Sequence, residues 1–296
     1  MTASVEEKGT TSRLYYFKDL IEKEIALSLT FFGEKTKLRD ACEYALKSGG
    51  KRVRPLLVFL IAEALGNGLN VAEAAVAAEF FHTASLIVDD LPCMDNDDLR
   101  RNAPSLHKMY GEPVALLASY ALMTAGFEWL VKSGERMRSA PASFSFVADR
   151  AALFVLNAAS RSSGITGATG GQFFDLFPKE GGFDALKRVL YQKTVTLFEV
   201  AFYAGWLFGG GAFDALPQVK ESAYHFGMAF QIADDMGDES QDSDKGVSSN
   251  VVHLLGRESA RTLFEKELEL FRKGAKELSI WSPSFEKLIS ILCMAS

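Results

Sequence analysis

The chain has 296 residues, 48% of them hydrophobic, and a net charge of −6 at neutral pH. That length allows one large domain or two ordinary ones, and the apolar content can build a sizeable core. The acidic balance argues against a nucleic-acid partner, which needs a basic face, and three widely spaced cysteines (Cys42, Cys93, Cys293) argue against a disulfide framework or a zinc site.

The N-terminal residues lack a basic segment followed by an apolar one, and no run reaches about 18 apolar residues. A soluble, cytoplasmic protein without an integral membrane segment is expected. Residues 1–11 are expected as a loose tail and 12–296 as a single domain, because no linker or repeat divides them. Helical patterns follow one another over roughly 12–31, 36–47, 53–65, 71–90, 112–132, 142–163, 184–208, 216–240, 257–278 and 283–294. Gly, Pro and Ser punctuate them, as at Ser48-Gly49-Gly50, Gly66-Asn67-Gly68, Pro104 and Gly209-Gly210-Gly211. No stretch alternates convincingly as a strand. The expected fold is therefore all-α, a single-domain bundle of about ten helices, which can place ligand sites on facing helices.

The first chemical feature in chain order is Gly49-Gly50-Lys51-Arg52-Val53-Arg54-Pro55. Two glycines let the backbone approach an anion, and three cations follow at a helix start. Lys51 and Arg54 could hold a diphosphate, although a solvated basic turn reads the same way. The next segment, from 71 to 88, is Ala- and Phe-rich without Gly or Pro and reads as a buried helix. Pro92 should end it near Leu91. Asp89 and Asp90 then sit in its last turn, with Asp95, Asp97 and Asp98 just beyond: five carboxylates in ten residues. A helix C-terminus already carries partial negative charge, so each carboxylate there costs about 0.3–1 kcal/mol. Such a break of a local rule is expected where function sits. Arg100 and Arg101 follow at once, and His82 lies two helical turns before Asp89 on the same face.

Further on, Gly170-Gly171-Gln172-Phe-Phe-Asp175 sets polar groups into an apolar region, and Gln192-Lys193-Thr194 does so inside a long apolar helix. A second acidic helix end closes the series, Phe230-Gln231-Ile-Ala-Asp234-Asp235-Met-Gly-Asp238. Asp234 and Asp238 share a face, where like charges repel. Two acidic helix ends facing each other would suit magnesium, a hard cation that keeps waters and binds through a few carboxylates and substrate phosphates.

Taken together, GGKRVRP (49–55), HTASLIVDDLPCMDNDDLRR (82–101), GGQFFD (170–175), QKT (192–194) and FQIADDMGD (230–238) resemble the trans-type isoprenyl diphosphate synthases, in order, over about residues 40–240. The four residues between the first aspartate pair and Asp95 resemble the form in bacterial farnesyl and plant-type geranylgeranyl diphosphate synthases. The resemblance implies an isoprenoid synthase-like bundle around a deep central cavity, a homodimer, Mg2+, and condensation of isopentenyl diphosphate with an allylic diphosphate. It implies metal contacts from Asp89, Asp90, Asp95, Asp234, Asp235 and Asp238. Arg100, Lys193 and Gln231 would contact the allylic substrate, with Thr194 beside the forming cation. Lys51, Arg54, His82 and Arg101 would hold isopentenyl diphosphate, and Lys245 would be the flap's diphosphate-closing lysine. The position five before the first aspartate, Ala84, would leave the prenyl shaft open down to Phe81 and Phe80. At 1.5 Å per residue Ala84 lies roughly 7 Å and Phe81 roughly 12 Å below Asp89. A geranylgeranyl product is expected first and farnesyl second.

The chain departs from the family pattern at Asn102 (usually Gly), at Ser119-Tyr120 (usually Gly-Asp), at Val195 (usually Gly), and in a shortened glycine- and lysine-rich flap after the second acid motif. A class I terpene cyclase and a non-catalytic or regulatory synthase subunit stand as alternatives. The cyclase is disfavoured by the second motif and the paired basic sites, and the subunit by the retained aspartates.

Overall fold

The computed structural model describes residues 5–178, 181–237 and 250–293, with side chains from 13 to 291 within those limits. The helices are α1 (Val5–Ser28), α2 (Lys37–Lys47), α3 (Val53–Leu65), α4 (Ala72–Asp89), α5 (Leu106–Tyr110), α6 (Glu112–Arg138), α7 (Ala142–Ser145), α8 (Ala148–Ser163), α9 (Ala168–Leu176), α10 (Gly182–Leu190), α11 (Thr196–Phe208), α12 (Leu216–Gly237), α13 (Val251–Leu255), α14 (Arg257–Glu277) and α15 (Pro283–Cys293). A single turn of π-helix, Tyr191–Val195, joins α10 to α11. The only sheet among the described residues is a two-residue antiparallel pair, β1 (Leu99–Arg100) and β2 (Ala103–Pro104).

The bundle is built around helices that are apolar on every side. Every residue of α11 is buried, as is α3 from Val53 to Ala62, so neither has a solvent face. α4 packs between α3, α6, α11 and α1, while α12 packs on α11 and α14. Small residues draw α4 and α6 together: Ala77, Ala84, Ala115, Ala118 and Gly126 are all buried. A ring series, Phe198 to Phe226 to Phe271 to Phe285 at centroid spacings of 5.2, 5.1 and 5.9 Å, ties α11, α12, α14 and α15 into one core.

Several boundaries differ from the sequence reading. α1 starts at Val5, inside the expected tail. α6 runs through Ser133-Gly134 to Arg138, because Gly134 is a packing glycine and not a stop. A Cβ there would lie 2.6 Å from that of Ala152 on α8. The segment 142–163 divides into α7 and α8, and the stretch 184–208 is interrupted by the π turn.

Candidate active site

One cavity of about 720 Å³ opens where the C-terminal ends of α4 and α12 meet the N-terminus of α3. Its acidic lining is Asp89, Asp95, Asp97, Asp175, Asp234 and Asp235, and its basic lining Lys51, Arg52, Arg54, Arg100, Arg101 and Lys193. His82, Thr194, Gln231 and Phe230 complete the polar rim and its edge. The two acidic helix ends therefore share one mouth.

The basic loop is held from beneath. Arg52 takes a left-handed conformation (φ 52°) and sends its buried guanidinium into the bundle, to Glu22 of α1 at 2.7 Å, to Glu79 of α4 and to the Leu46 carbonyl. Lys51 and Arg54, on either side, are left over the cavity. Arg54 lies 4.2 Å above the Phe198 ring, and its buried Nε has no hydrogen-bond partner. Burial pushes its pKa down to about 10 against the pull of Glu79 and Asp234, so it stays charged at neutral pH. Lys51 reaches Asp234 across the mouth, 3.5 Å from Nζ to Oδ1.

The arginine pair stands on the tiny hairpin. Arg101 (φ 54°) and Asn102 (φ 64°) are the two central residues between Arg100 and Ala103, the geometry of a type I′ turn. Asn tolerates that conformation, which is why it can replace the family's Gly. Arg101 donates to the Gly49 carbonyl and fills the space left by Gly50, where a Cβ would sit 2.7 Å from its Nη1. Gly50 thus makes room for a guanidinium of this chain. Arg100 grips Asp90, with Nε 2.9 Å from Oδ1, and lies 3.6 Å from Asp97.

Burial raises the pKa of Asp89 to about 6, with Lys193 opposing and Asp95 adding to it. Burial also raises Asp90, against the Arg100 hydrogen bond. His82 is held well below the ordinary histidine value, first by burial and then by Arg54, Arg101, Arg52 and Arg100. It presents a neutral imidazole at the cavity wall.

The π turn displays Lys193 and Thr194 inward, and such turns recur at functional sites because the extra residue re-aims side chains. α9 comes close enough to brace it only because residue 171 is glycine: a Cβ there would lie 2.6 Å from Lys193 Cα. Lys193 Nζ sits 2.5 Å from Asp175 Oδ2. Burial alone would lower the lysine's pKa, but Asp89 and Asp175 outweigh it. Thr194 Oγ1 donates to Gln231 Oε1 at 2.8 Å.

The sequence-derived site is thus gathered at one mouth, with specific corrections. Asp90 is buried, turned to Arg100, and lines a minor pocket beside Thr83 and Ser105 instead of the main cavity. Asp235 lines the cavity but commits both carboxylate oxygens to protein donors, Gln231 Nε2 and Val251 N, each at 2.8 Å. Neither is presented as a ligand in this state. Ala84, Phe81 and Phe80 do not line the cavity, whose α4 wall goes no deeper than His82. Ala84 is sealed against α6, where Ser119 Oγ donates to its carbonyl at 2.8 Å. The Phe81 ring packs 5.0 Å from Phe127 over Gly126, and Phe80 packs on Phe32 and Trp129. Close α4–α6 packing therefore closes the shaft expected to be open. Asp238 and Lys245 lie outside the described residues. The sequence reading gives Asp175 no role, although its place four residues after a glycine pair in an apolar stretch is the available signal.

Among the described residues no three His, Cys, Asp or Glu side chains converge closely enough to hold a metal ion alone. The donors that do face the cavity are hard carboxylate oxygens, and Asp89 is destabilised as an anion until a cation joins it. That set fits magnesium ions whose coordination is completed by water and phosphate oxygens.

An all-α bundle with two acidic helix ends over a basic cradle defines an isoprenoid synthase-like protein. The chain belongs to the polyprenyl synthetase family, which it matches over residues 35–247. It is 33% identical over 303 residues to an Arabidopsis thaliana geranylgeranyl pyrophosphate synthase 3, covering 96% of this chain and 80% of that protein. It is 36% identical over 257 residues to an Arabidopsis heterodimeric geranylgeranyl pyrophosphate synthase large subunit 2, covering 83% of this chain and 64% of that protein. The fold superposes on the crystal structure of an FPP/GFPP synthase from Zymomonas mobilis with a TM-score of 0.80 and 30% identity, over 97% of this chain and all of that one (100%).

Proposed function

We propose that this protein is a magnesium-dependent short-chain trans-prenyltransferase that condenses isopentenyl diphosphate with an allylic diphosphate, giving geranylgeranyl diphosphate first and farnesyl diphosphate second. The observation that carries the reading is the charge arrangement of the cavity between the ends of α4 and α12. A carboxylate wall (Asp89, Asp95, Asp234) faces a cationic wall (Lys51, Arg54, Arg101), as two diphosphate substrates with different counter-charges require. The geranylgeranyl preference rests on the relatives' names.

Asp89, Asp95 and Asp234 would hold the magnesium ions, which when bound neutralise the allylic diphosphate and assist its departure. Lys193 and Arg100 bind that diphosphate's oxygens, and Arg54, Lys51 and Arg101 hold the second substrate. His82, kept neutral by burial and then by its arginine neighbours, offers a hydrogen bond without adding repulsion. The allylic C1–O bond breaks with its electron pair on the leaving oxygen. The isopentenyl double bond supplies the pair for the new C–C bond, and a proton from isopentenyl C2 passes to the departed diphosphate. Thr194 and Gln231 present oxygen dipoles where positive charge develops, a preorganised electrostatic contribution. The apolar flank of Leu86, Leu197 and Phe230 keeps water from the cation.

The proposed assembly is a homodimer. Leu116, Leu117, Tyr120 and Val131 are exposed along α6 with Phe127 half-buried between them, a stripe at helical spacing that a second copy would cover. The deciding experiment incubates the purified protein with Mg2+, an allylic diphosphate and labelled isopentenyl diphosphate. Chain-extended diphosphates support the proposal, cyclised hydrocarbon a cyclase, and no turnover a dependent subunit. Light scattering on the same sample distinguishes dimer from monomer, and imaging of the tagged full chain tests the proposed cytoplasmic location.

A further inference from the structure

Asp235 belongs to the second acidic cluster but is not presented as a ligand. Its Oδ1 accepts from Gln231 Nε2 at 2.8 Å and its Oδ2 from the Val251 amide at 2.8 Å. Its own carbonyl accepts from Asn250 Nδ2 at 3.0 Å, and Asn250 Oδ1 caps α13 through the Val252 amide at 2.8 Å. The carboxylate is buried and fixed from two sides. Gln231 continues the series, its Oε1 accepting from Thr194 Oγ1 at 2.8 Å.

The direction of this series follows from donor and acceptor chemistry. An ionised carboxylate can only accept. Gln231 must therefore turn its NH₂ toward Asp235 and its carbonyl oxygen toward Thr194. Facing a carbonyl oxygen, the Thr194 hydroxyl must donate, which leaves its lone pairs for the cavity. Gln231 and Thr194 both line that cavity. We propose that Asp235 is a positioning residue: it sets the polarity of the Asp235–Gln231–Thr194 relay, so that the negative ends of the amide and hydroxyl dipoles face the carbocation formed in the reaction. This rests on the prenyltransferase reading above. In place of a metal contact, it assigns Asp235 the task of keeping two dipoles from reversing.

Asp235→Asn has the same shape and can still accept from the Val251 amide. It would then offer NH₂ to Gln231, turning that amide over and making Thr194 accept, so that the hydroxyl hydrogen points at the cation. The test compares steady-state rates of the full chain with geranyl diphosphate and labelled isopentenyl diphosphate. Asp235→Asn should lower kcat about tenfold or more, on the scale of misplacing one preorganised dipole. Both KM values and the half-saturating Mg2+ concentration should move less than about twofold, within the spread of independent sites. In a Thr194→Val background, the same substitution should cost little further, because the relay is already cut. The exchange Asp235→Asn with Gln231→Glu restores an acceptor opposite Thr194 at unchanged net charge and should recover most of the lost kcat.

A Mg2+ requirement that rises in Asp235→Asn, with kcat restored at saturating Mg2+, puts the carboxylate on the metal and overturns the proposal. Losses that multiply in the Thr194→Val background, or an exchange variant no faster than Asp235→Asn, do the same. A parent enzyme that forms no chain-extended product overturns the prenyltransferase reading itself, a separate outcome from the variant pattern.

Discussion

Asp89→Asn should make the metal-free protein more stable at neutral pH while abolishing turnover. The substitution keeps the side chain's shape and removes its charge. In the fold, burial lifts the Asp89 pKa from an ordinary 3.8 to about 6. A folded pKa above the unfolded one means that the native state binds more protons in that window, so stability falls as pH rises through it. With about 1.4 kcal/mol per pKa unit, ionising Asp89 costs the fold about 3 kcal/mol once pH is well above 6. Near pH 5 roughly half of that cost is present.

Urea unfolding of parent and variant with a chelator present, at pH 5 and pH 8, isolates the contribution, because other titrating groups cancel in the difference. The stability gap in favour of Asn should widen by about 1–2 kcal/mol between the two pH values. Urea is preferred to guanidinium, whose ionic strength would screen Lys193 and the neighbouring carboxylates. A gap that stays constant or narrows toward pH 8 refutes the claim that Asp89 is held as a costly anion. The opposite signs of stability and activity also separate this from a packing defect, which lowers both.

Three other outcomes follow from close contacts around the site. Gly171→Ala would press a Cβ onto the Lys193 backbone, which cannot yield. It should cost about 1–3 kcal/mol in urea unfolding and lower kcat more than KM, because Lys193 and Thr194 are re-aimed. Gly50→Ala meets both a positive φ of 124° and the Arg101 guanidinium, so it should raise the isopentenyl diphosphate KM with kcat largely kept. Phe81→Ala removes the ring seated on Gly126 below the cavity. Product analysis should shift toward longer chains, at a stability cost of about 3–5 kcal/mol; an unchanged distribution would remove Phe81 from length control.

The all-α class and the acidic ends of α4 and α12 were legible because both leave local marks. An apolar run without breakers reads as a buried helix, and carboxylates crowded at a helix C-terminus contradict the local electrostatics unless a cation joins them. What stayed hidden were contacts between distant segments. Nothing local to Asp90 says that a two-residue hairpin will swing Arg100 back onto it. Nothing local to Asp235 says that the start of α13 will supply its hydrogen-bond donor. The π turn at 191–195 is invisible to a 3.6-residue pattern, since its only trace is three polar residues in an apolar helix. The closed shaft is hidden for a related reason. Ala84 alone implies empty space, but small residues on α4 are met by small residues on α6, and the two helices close the gap that a lone alanine would leave.

The same contacts explain how so dense a cluster of charge stays folded without ligands. Lys51 rests on Asp234, Lys193 on Asp175, and Arg100 on Asp90. Each cation proposed to grip the allylic diphosphate or bridge the mouth is thus held by a carboxylate of this chain. Arg54 and Arg101 have no carboxylate partner among the described residues, and Arg54 carries a buried Nε without an acceptor. An unpaired buried guanidinium is expensive to maintain, and here the Phe198 face and the field of Glu79 and Asp234 offset part of that cost. The two halves of the mouth are therefore unequal before any substrate arrives. The allylic side is neutralised internally and has to exchange partners, whereas on the side proposed for isopentenyl diphosphate only Lys51 is paired and Arg54 and Arg101 remain unmatched by a carboxylate among the described residues. A diphosphate bound at Arg54 replaces nothing, while one bound at Lys193 or Arg100 releases carboxylates that then need a counter-cation. On the proposed substrate assignment, that difference would couple metal binding chiefly to the allylic half, and the second substrate's site would feel it only through Lys51, which has to leave Asp234.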